Sequence, residues 1–130
     1  MSRWLGTPVA ERKLERRGDA KRAAGFRIGK PRPAREADYE CRYEVFGFGS
    51  PRRMRVFGID EVQALSLALE AVRAELQRLG TEAIWLEGPA YRGLPMTVPT
   101  YLPRKYARRV EAALERANAA FVREARRRKP

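Results

Sequence analysis

Residues 56–80 read VFGIDEVQALSLALEAVRAELQRLG, and this stretch decides the fold because a strand ends within it and a capped helix begins. The Asp60 carboxylate can accept a backbone N–H of the first turn, while Gln63 can reach back to the Asp60 backbone. Gly80 supplies the stop signal. Apolar residues recur at steps of three and four, which predicts a helix over 61–79 with one buried stripe. The stripe comprises Val62, Leu65, Leu69, Val72, Leu76 and Leu79, with Ala64, Ala68 and Ala71 at or beside its edges.

This helix needs an apolar sheet beneath it, and residues 39–46 provide the clearest strand. Tyr39, Cys41, Tyr43 and Val45 alternate with polar residues, so one face is predicted to be core and the other wet. The wet face carries Glu40, Arg42 and Glu44. The turn-rich sequence GFGSP then predicts a hairpin, with residues 53–57 returning antiparallel.

The flanking segments are less regular. Residues 1–8 are predicted to be a tail whose Trp4 and Leu5 can dock on the surface, and residues 9–17 suit a short helix or an edge strand, with the strand favoured. Residues 18–25 are interpreted as a polar turn region and residues 26–30 as a second strand, ended by two prolines. The apolar run at residues 84–86 suits either a short strand or packing under the sheet edge.

The predicted architecture is α+β, with an antiparallel meander of three or four strands and the helix of residues 61–79 across one face. Residues 9–98 form this single domain. Residues 99–130 form a basic C-terminal segment whose helix, over 103–128, packs on the domain or projects from it. The apolar stripe of that helix comprises Tyr106, Val110, Leu114, Ala117 and Phe121.

Composition argues against several chemistries. Cys41 is the only cysteine and there is no histidine, so the common metal ligands and the common general base at neutral pH are missing. We therefore expect no enzyme, no cofactor and no metal. The chain shows neither an export signal nor an apolar run of membrane-spanning length, so we expect a cytoplasmic protein that binds no membrane.

The net charge of +12 suggests a nucleic-acid-binding protein until it is divided along the chain. Residues 1–35 carry a net +8, residues 36–98 a net −3, and residues 99–130 a net +7. The predicted domain is mildly acidic in its middle, and the basic residues lie at the two ends.

Each candidate site has a structural alternative. Cys41 is either a reactive thiol or an inert core residue, and the core position of its strand face favours the second. The acidic residues Glu36, Asp38, Glu40 and Glu44 can hold a divalent cation, but their alternation favours a solvated strand. Asp60 and Gln63 can line an anion site at the helix N-terminus, although capping alone explains them.

The last helix carries the strongest candidate for partner or phosphate contacts. Lys105, Arg109, Arg116 and Arg123 are interpreted as a basic ridge along one flank of the apolar stripe. Such a ridge can follow a phosphate backbone or an acidic protein surface. It can equally consist of long side chains that flank a docked helix, pair with neighbouring glutamates and complement the helix C-terminus.

Several short motifs resemble a family of small uncharacterised bacterial proteins, catalogued as a domain of unknown function. They are Val9-Ala-Glu-Arg, Ile28-Gly-Lys-Pro31, Tyr39-x-Cys41-x-Tyr43 and Gly58-Ile-Asp-x-Val-Gln-Ala-Leu65. The resemblance spans about residues 9–95 and implies an antiparallel sheet backed by a helix, with no established activity to carry over. By analogy of fold and size, such proteins resemble immunity or accessory partners of other proteins.

We therefore expect a non-enzymatic cytoplasmic binding or accessory protein with an unknown protein partner. The alternative is a nucleic-acid-binding protein that uses the basic ends. Aromatic side chains exposed on the sheet would favour RNA or single strands, but Tyr39 and Tyr43 lie on the predicted core face.

Overall fold

A computed structural model of the chain describes residues 3–96 and 102–128. The chain divides into two compact units, Met1–Met96 and Thr97–Pro130. The first contains an antiparallel sheet and the α-helix α1 (Glu61–Leu79), and the second contains the long α-helix α2 (Arg104–Arg127). Within the described residues the sheet has seven strands: β1 (Pro8–Arg16), β2 (Asp19–Gly29), β3 (Arg32–Pro33), β4 (Tyr39–Phe46), β5 (Arg52–Gly58), β6 (Ala83–Trp85) and β7 (Gly88–Pro89). The α+β class with a long C-terminal helix is confirmed, whereas three or four strands was too low a count.

The largest difference from the prediction lies in the first hairpin. Residues 18–25 were expected to form a polar turn region, but β2 begins at Asp19, which pairs with Arg16 of β1. The connection is therefore only Arg17 and Gly18, and Gly18 supplies the required left-handed backbone with φ 77°. The tip of the hairpin is exposed on both faces, so no apolar alternation marks it as strand.

Strand β4 has neighbours on both of its edges. Val45 is opposite Phe26 of β2 and also opposite Arg52 of β5, so these two strands flank β4 on opposite sides. The short β3 pairs with the start of β4, and β1, β6 and β7 extend the sheet beyond β2. The odd-numbered residues of β4 therefore share one face with Phe26 and Ile28, and the even-numbered residues share the other.

Helix α1 packs on the first of these faces through a rotated stripe. Its buried residues are Ala64, Ala68, Val72 and Leu76, while Leu69 is half-buried and Val62 is 73% exposed. The predicted stripe placed alanines at the edge, but they lie at the centre of the contact. Small side chains allow close approach, and a Cβ on Gly58 would lie 2.5 Å from the Ala64 backbone nitrogen.

The chain on either side of this core is also tied to it. Leu5 is buried and Trp4 is half-buried, which places the described part of the N-terminal tail against the domain. After β7, the Arg12 guanidinium donates to the carbonyls of Ala90 (3.2 Å) and Arg92 (2.8 Å). Arg73 of α1 donates to the Leu94 carbonyl at 2.8 Å, so β1 and α1 hold this segment together.

Helix α2 begins after Pro103, whose carbonyl accepts the N–H groups of Tyr106 and Ala107. None of its described residues is buried, and all five members of the predicted apolar stripe are exposed: Tyr106, Val110, Leu114, Ala117 and Phe121. In the described parts of the chain, no helix combines the length and the apolar character that crossing a membrane requires.

Candidate functional site on the open face of the sheet

The sheet face that α1 does not cover carries a layer of arginines, glutamates and aromatic rings. The strand register brings Arg27 and Arg53 opposite Glu44, and Arg32 and Phe57 opposite Glu40. We call this surface the open face; its residues are Trp4, Arg27, Arg32, Glu40, Arg42, Glu44, Phe46, Arg53, Arg55 and Phe57. Five strands and the N-terminal segment therefore build one continuous charged layer, counting the Glu11 of β1 that pairs with Arg27.

Glu40 is the most heavily partnered carboxylate of the open face, although only 5% of it is exposed. Its Oε1 accepts from Arg32 Nε at 3.0 Å and Arg42 Nη2 at 3.3 Å, and its Oε2 accepts from Arg55 Nη1 at 3.4 Å. Burial alone would raise the pKa of Glu40, but the Arg32 hydrogen bond and the charges of Arg42 and Arg32 outweigh it and lower that pKa. Glu40 is therefore an ionised anchor for three guanidinium groups.

Glu44 has the same role further along β4, with 4% of it exposed. It accepts from Arg27 Nη1 at 3.2 Å and from Arg53 Nε at 3.3 Å. Arg27 in turn donates to Glu11 at 3.0 Å, so the network continues to β1. A buried carboxylate is costly unless it is paired and hydrogen-bonded, and both of these are.

Aromatic rings are built into the same layer, each with a guanidinium over it. Arg27 lies 4.1 Å from the centroid of the Phe46 ring, and Arg55 lies 5.2 Å from that of Phe57. Arg42 lies 5.1 Å from the Trp4 ring and also donates to the Trp4 carbonyl at 2.7 Å. Cation–π contacts of this kind fix the orientation of both partners.

Two arginines of the open face keep both of their Nη groups available for a further partner. Arg32 and Arg53 each use Nε to bond a glutamate, and their Nη groups make no hydrogen bond to any residue that the structure describes. Their side chains are 43% and 49% exposed. A guanidinium held by Nε presents its two Nη groups outward, which suits bidentate contact with a carboxylate or phosphate.

The prediction of a solvated face for Glu40 and Glu44 is therefore wrong. Alternation correctly placed them away from the core, but arginines from neighbouring strands cover them. Within residues 3–96 and 102–128, no three acidic or thiol side chains form a set that could hold a metal ion. In the acidic cluster, Glu36, Glu40 and Glu44 are paired with arginines.

The other predicted residues lie away from the open face. Asp60 caps α1, with its Oδ1 accepting the Gln63 N–H at 2.8 Å. Gln63 reaches back one residue further than expected, because its Oε1 accepts the N–H of Ile59 at 2.6 Å. Cys41 is fully buried under α1, and burial raises the pKa of its thiol to about 11, which describes a core residue.

The basic ridge of α2 lies along one side of its apolar stripe. Lys105, Arg109, Arg116 and Arg123 are all exposed. At about 100° per residue they lie about 100–140° around the helix from Val110, the angular centre of the apolar stripe. The ridge therefore lies on the Tyr106 side of the stripe, where Lys105 Nζ and Arg109 Cζ are 6.0 and 5.5 Å from the centroid of the Tyr106 ring.

A cleft of about 680 Å³ lies near the end of α1, and its described lining is mostly apolar and backbone. Its charged side chains are Arg17, which donates to Thr81 Oγ1 at 3.2 Å, and Glu87. Beside it, Leu86 and Glu87 connect β6 to β7 with φ values of 49° and 62°. A single carboxylate and a single committed arginine give this cleft few groups for recognition.

Comparison with known proteins places the chain in a family. The model of the family described as a domain of unknown function (DUF6968) matches residues 10–98. The predicted resemblance to a family described as a domain of unknown function is confirmed. No curated protein and no solved structure matches the chain.

Proposed function

We propose that this chain, which belongs to the family described as a domain of unknown function (DUF6968), is a non-enzymatic binding or accessory protein of the bacterial cytoplasm. Its partner is another protein, bound on the open face. The observation that carries the proposal is the pair of buried glutamates, Glu40 and Glu44, that hold five arginines and the rings they stack on in fixed positions at a surface.

The composition of the open face suits a protein interface. Arginine and aromatic residues are enriched at the centres of such interfaces and dominate their binding energy. The glutamates that would weaken this character are covered by arginine. What the open face offers a partner is therefore guanidinium groups and the rings of Phe46 and Phe57.

Preorganisation adds to this argument. Immobilising a long side chain on binding costs about 0.5–1.5 kcal/mol each. Arginines that already bond to Glu40 or Glu44 lose less freedom when a partner docks. The partner surface that fits carries carboxylates for the free Nη groups of Arg32 and Arg53, set around an apolar side chain that packs on Phe57.

The charge balance favours a protein over a polyanion. The five arginines of the open face meet four glutamates: Glu11, Glu36, Glu40 and Glu44. This near-neutral layer lacks the excess of positive charge by which nucleic-acid-binding surfaces attract phosphate.

The test is site-directed crosslinking in the cell of origin. A photoreactive benzoylphenylalanine replaces Phe57 in the full chain, with the exposed β1 residue Val9 as the control position. The proposal expects a protein crosslinked from position 57 and absent from position 9. That protein, once purified, must bind the wild-type chain and lose at least tenfold in affinity with Phe57→Ala, while Val9→Ala leaves the affinity unchanged. Equal affinities for the two variants refute the open face as the site.

Nucleic-acid binding is the second candidate, favoured by the basic ridge on α2. The salt dependence of affinity tests it, because the slope of log K against log salt is about −0.9 per phosphate contacted on duplex DNA. We expect only weak duplex binding, roughly 10⁻⁴–10⁻⁶ M at physiological salt. Replacing Lys105, Arg109, Arg116 and Arg123 by alanine together flattens the slope. Nanomolar binding that survives physiological salt would make this the main function.

A further inference from the structure

Strand β5 forms a long free edge of the sheet. Among the described residues it pairs with β4 alone, and five of its seven residues are exposed. At the far end of the sheet, β7 has only two residues, one of which is Pro89. A strand edge presents a row of unused N–H and C=O groups that can pair with another chain, and natural proteins usually shorten such edges or interrupt them with proline. β5 has neither of these two protections and relies on charge, because it carries three arginines.

We infer that β5 is a strand-addition site that takes an extended, acidic segment of the partner protein as an eighth strand. This inference rests on the proposed function and adds to it the mode of binding and the chemistry of the bound segment. The side chains of β5 determine both.

The charges of β5 select the occupant. Residues 52–58 contain Arg52, Arg53 and Arg55 and no acidic residue. Residues directly opposite each other in adjacent antiparallel strands lie about 4.5–5.5 Å apart, where opposite charges attract and like charges repel. A second copy paired symmetrically along the whole strand would set Arg55 against its own copy. A strand with carboxylates in these positions is attracted to the arginines, whereas a second copy would be repelled at Arg55.

Apolar residues define the other half of the pattern. Phe57, Ile59 and Val62 are exposed at the end of β5 and the start of α1, and Met54 is exposed beside them. Arg53, Arg55 and Phe57 belong to the open face, whereas Met54 and Val56 lie on the face that α1 covers. A segment that fits β5 therefore has acidic residues opposite Arg53 and Arg55. It has apolar residues opposite Met54, Val56 and Phe57.

A second stretch of free edge is less suitable. β1 pairs with β6 only at Glu15 and Arg16, which leaves residues 8–14 without a partner strand on that side in the described structure. This stretch begins with Pro8 and carries charges of both signs. It therefore favours neither an acidic nor a basic segment, and it serves as an internal comparison.

The experiment varies the probe and leaves the protein intact. The probe is a fluorescent ten-residue peptide with the central sequence tyrosine, valine, glutamate, valine, glutamate from its N- to its C-terminus, which sets these residues opposite Phe57 to Arg53 in an antiparallel ladder. Its binding to the full chain is followed by anisotropy. A matched peptide carries lysine in place of glutamate. Two further peptides carry N-methyl groups on alternate residues, so that the methyl groups of one face β5 and those of the other point away from it.

Strand addition predicts that the lysine peptide binds at least tenfold more weakly, because it opposes the arginines. It also predicts that one N-methylated peptide loses at least tenfold in affinity and the other keeps it, because only one of them blocks the ladder. Hydrogen exchange adds a second readout, since alternate amides of residues 52–58 gain protection on binding while those of residues 8–14 do not. Phe57→Ala lowers the affinity of the chain for the probe, and Val9→Ala does not.

The outcomes separate this inference from the proposed function. Equal binding of the two N-methylated peptides means that side chains alone hold the probe, which overturns strand addition and leaves binding by the open face standing. If no peptide binds but the affinity of a crosslinked partner still depends on Phe57, strand addition is likewise overturned and binding by the open face stands. Loss of both the peptide and the partner overturns both proposals. If the chain forms a dimer in solution that prevents the probe from binding, the β5 edge binds a second copy of the chain, and the assignment of an acidic partner segment is overturned.

Discussion

Replacing Glu40 with glutamine tests whether the buried glutamates hold the open face together. The change keeps the size of the side chain and removes one negative charge from beneath Arg32, Arg42 and Arg55. Glutamine can accept hydrogen bonds through one oxygen, but its amide nitrogen can only donate and faces groups that also only donate. At least one of the three guanidinium groups therefore loses its partner.

The expected cost follows from the burial of the residues involved. Removing one partner of a buried ion pair costs roughly 3–5 kcal/mol, because the remaining charge is left uncompensated. Glu40 is buried, but the side chains of Arg32 and Arg55 are 43% and 42% exposed and can turn to water. We therefore expect a loss of about 2–3 kcal/mol, below that range, with Arg42 at 19% exposure contributing most.

The cost should also depend on pH, with a sign set by the lowered pKa of Glu40. A carboxyl whose folded-state pKa is depressed stabilises the fold above its unfolded pKa, about 4.3 for glutamate, and this contribution disappears as the pH falls through the folded value. The difference in the free energy of unfolding between the wild type and Glu40→Gln should be largest near neutral pH. It should shrink progressively below about pH 4.3, because the wild type then loses the same charge.

Urea denaturation of both proteins at neutral and acidic pH measures these quantities. Glu36→Gln is the matched control, because Glu36 also bonds to Arg55 but its side chain is 55% exposed. The control should change the free energy of unfolding by less than about 0.5 kcal/mol, as surface substitutions generally do. If Glu40→Gln changes the free energy of unfolding no more than Glu36→Gln does at neutral pH, the buried glutamates do not hold the open face together.

Much of the sheet and its helix could be predicted because each element has its own periodicity. Alternation over residues 39–46 identified β4 and its core face, and the spacing of apolar residues identified α1. The rotation of the α1 stripe could not be predicted, since it depends on how closely the helix approaches Gly58. Neither element could reveal how far β2 extends, because the tip of its hairpin buries nothing.

The open face could not be predicted from the alternation of one strand. A strand with glutamates on its outer face has the same pattern whether those glutamates are solvated or covered. The difference lies in Arg27, Arg32, Arg53 and Arg55, which reach the glutamates only when strand order and register are known. One signal was present in the sequence: the strand predicted to pair with β4 is rich in arginine and has no acid, which complements the glutamates across the hairpin.

Three further predictions concern the rest of the molecule. Leu76→Ala should cost about 2–5 kcal/mol in denaturant melts because Leu76 is fully buried, whereas Val62→Ala should cost less than about 0.5 kcal/mol; equal costs would contradict the rotated stripe. Replacing Leu86 and Glu87 by asparagine and glycine should raise stability by about 0.5–1 kcal/mol, since left-handed backbones cost other residues roughly 1–3 kcal/mol, and an unchanged melt would locate no strain there. Cys41 should resist alkylation at about pH 8, because a thiol with a pKa of about 11 is almost wholly protonated and α1 covers it. Mass spectrometry should then show labelling by iodoacetamide at least a hundredfold faster in denaturant than in the native protein, and comparable rates would mean that the core beneath α1 opens readily.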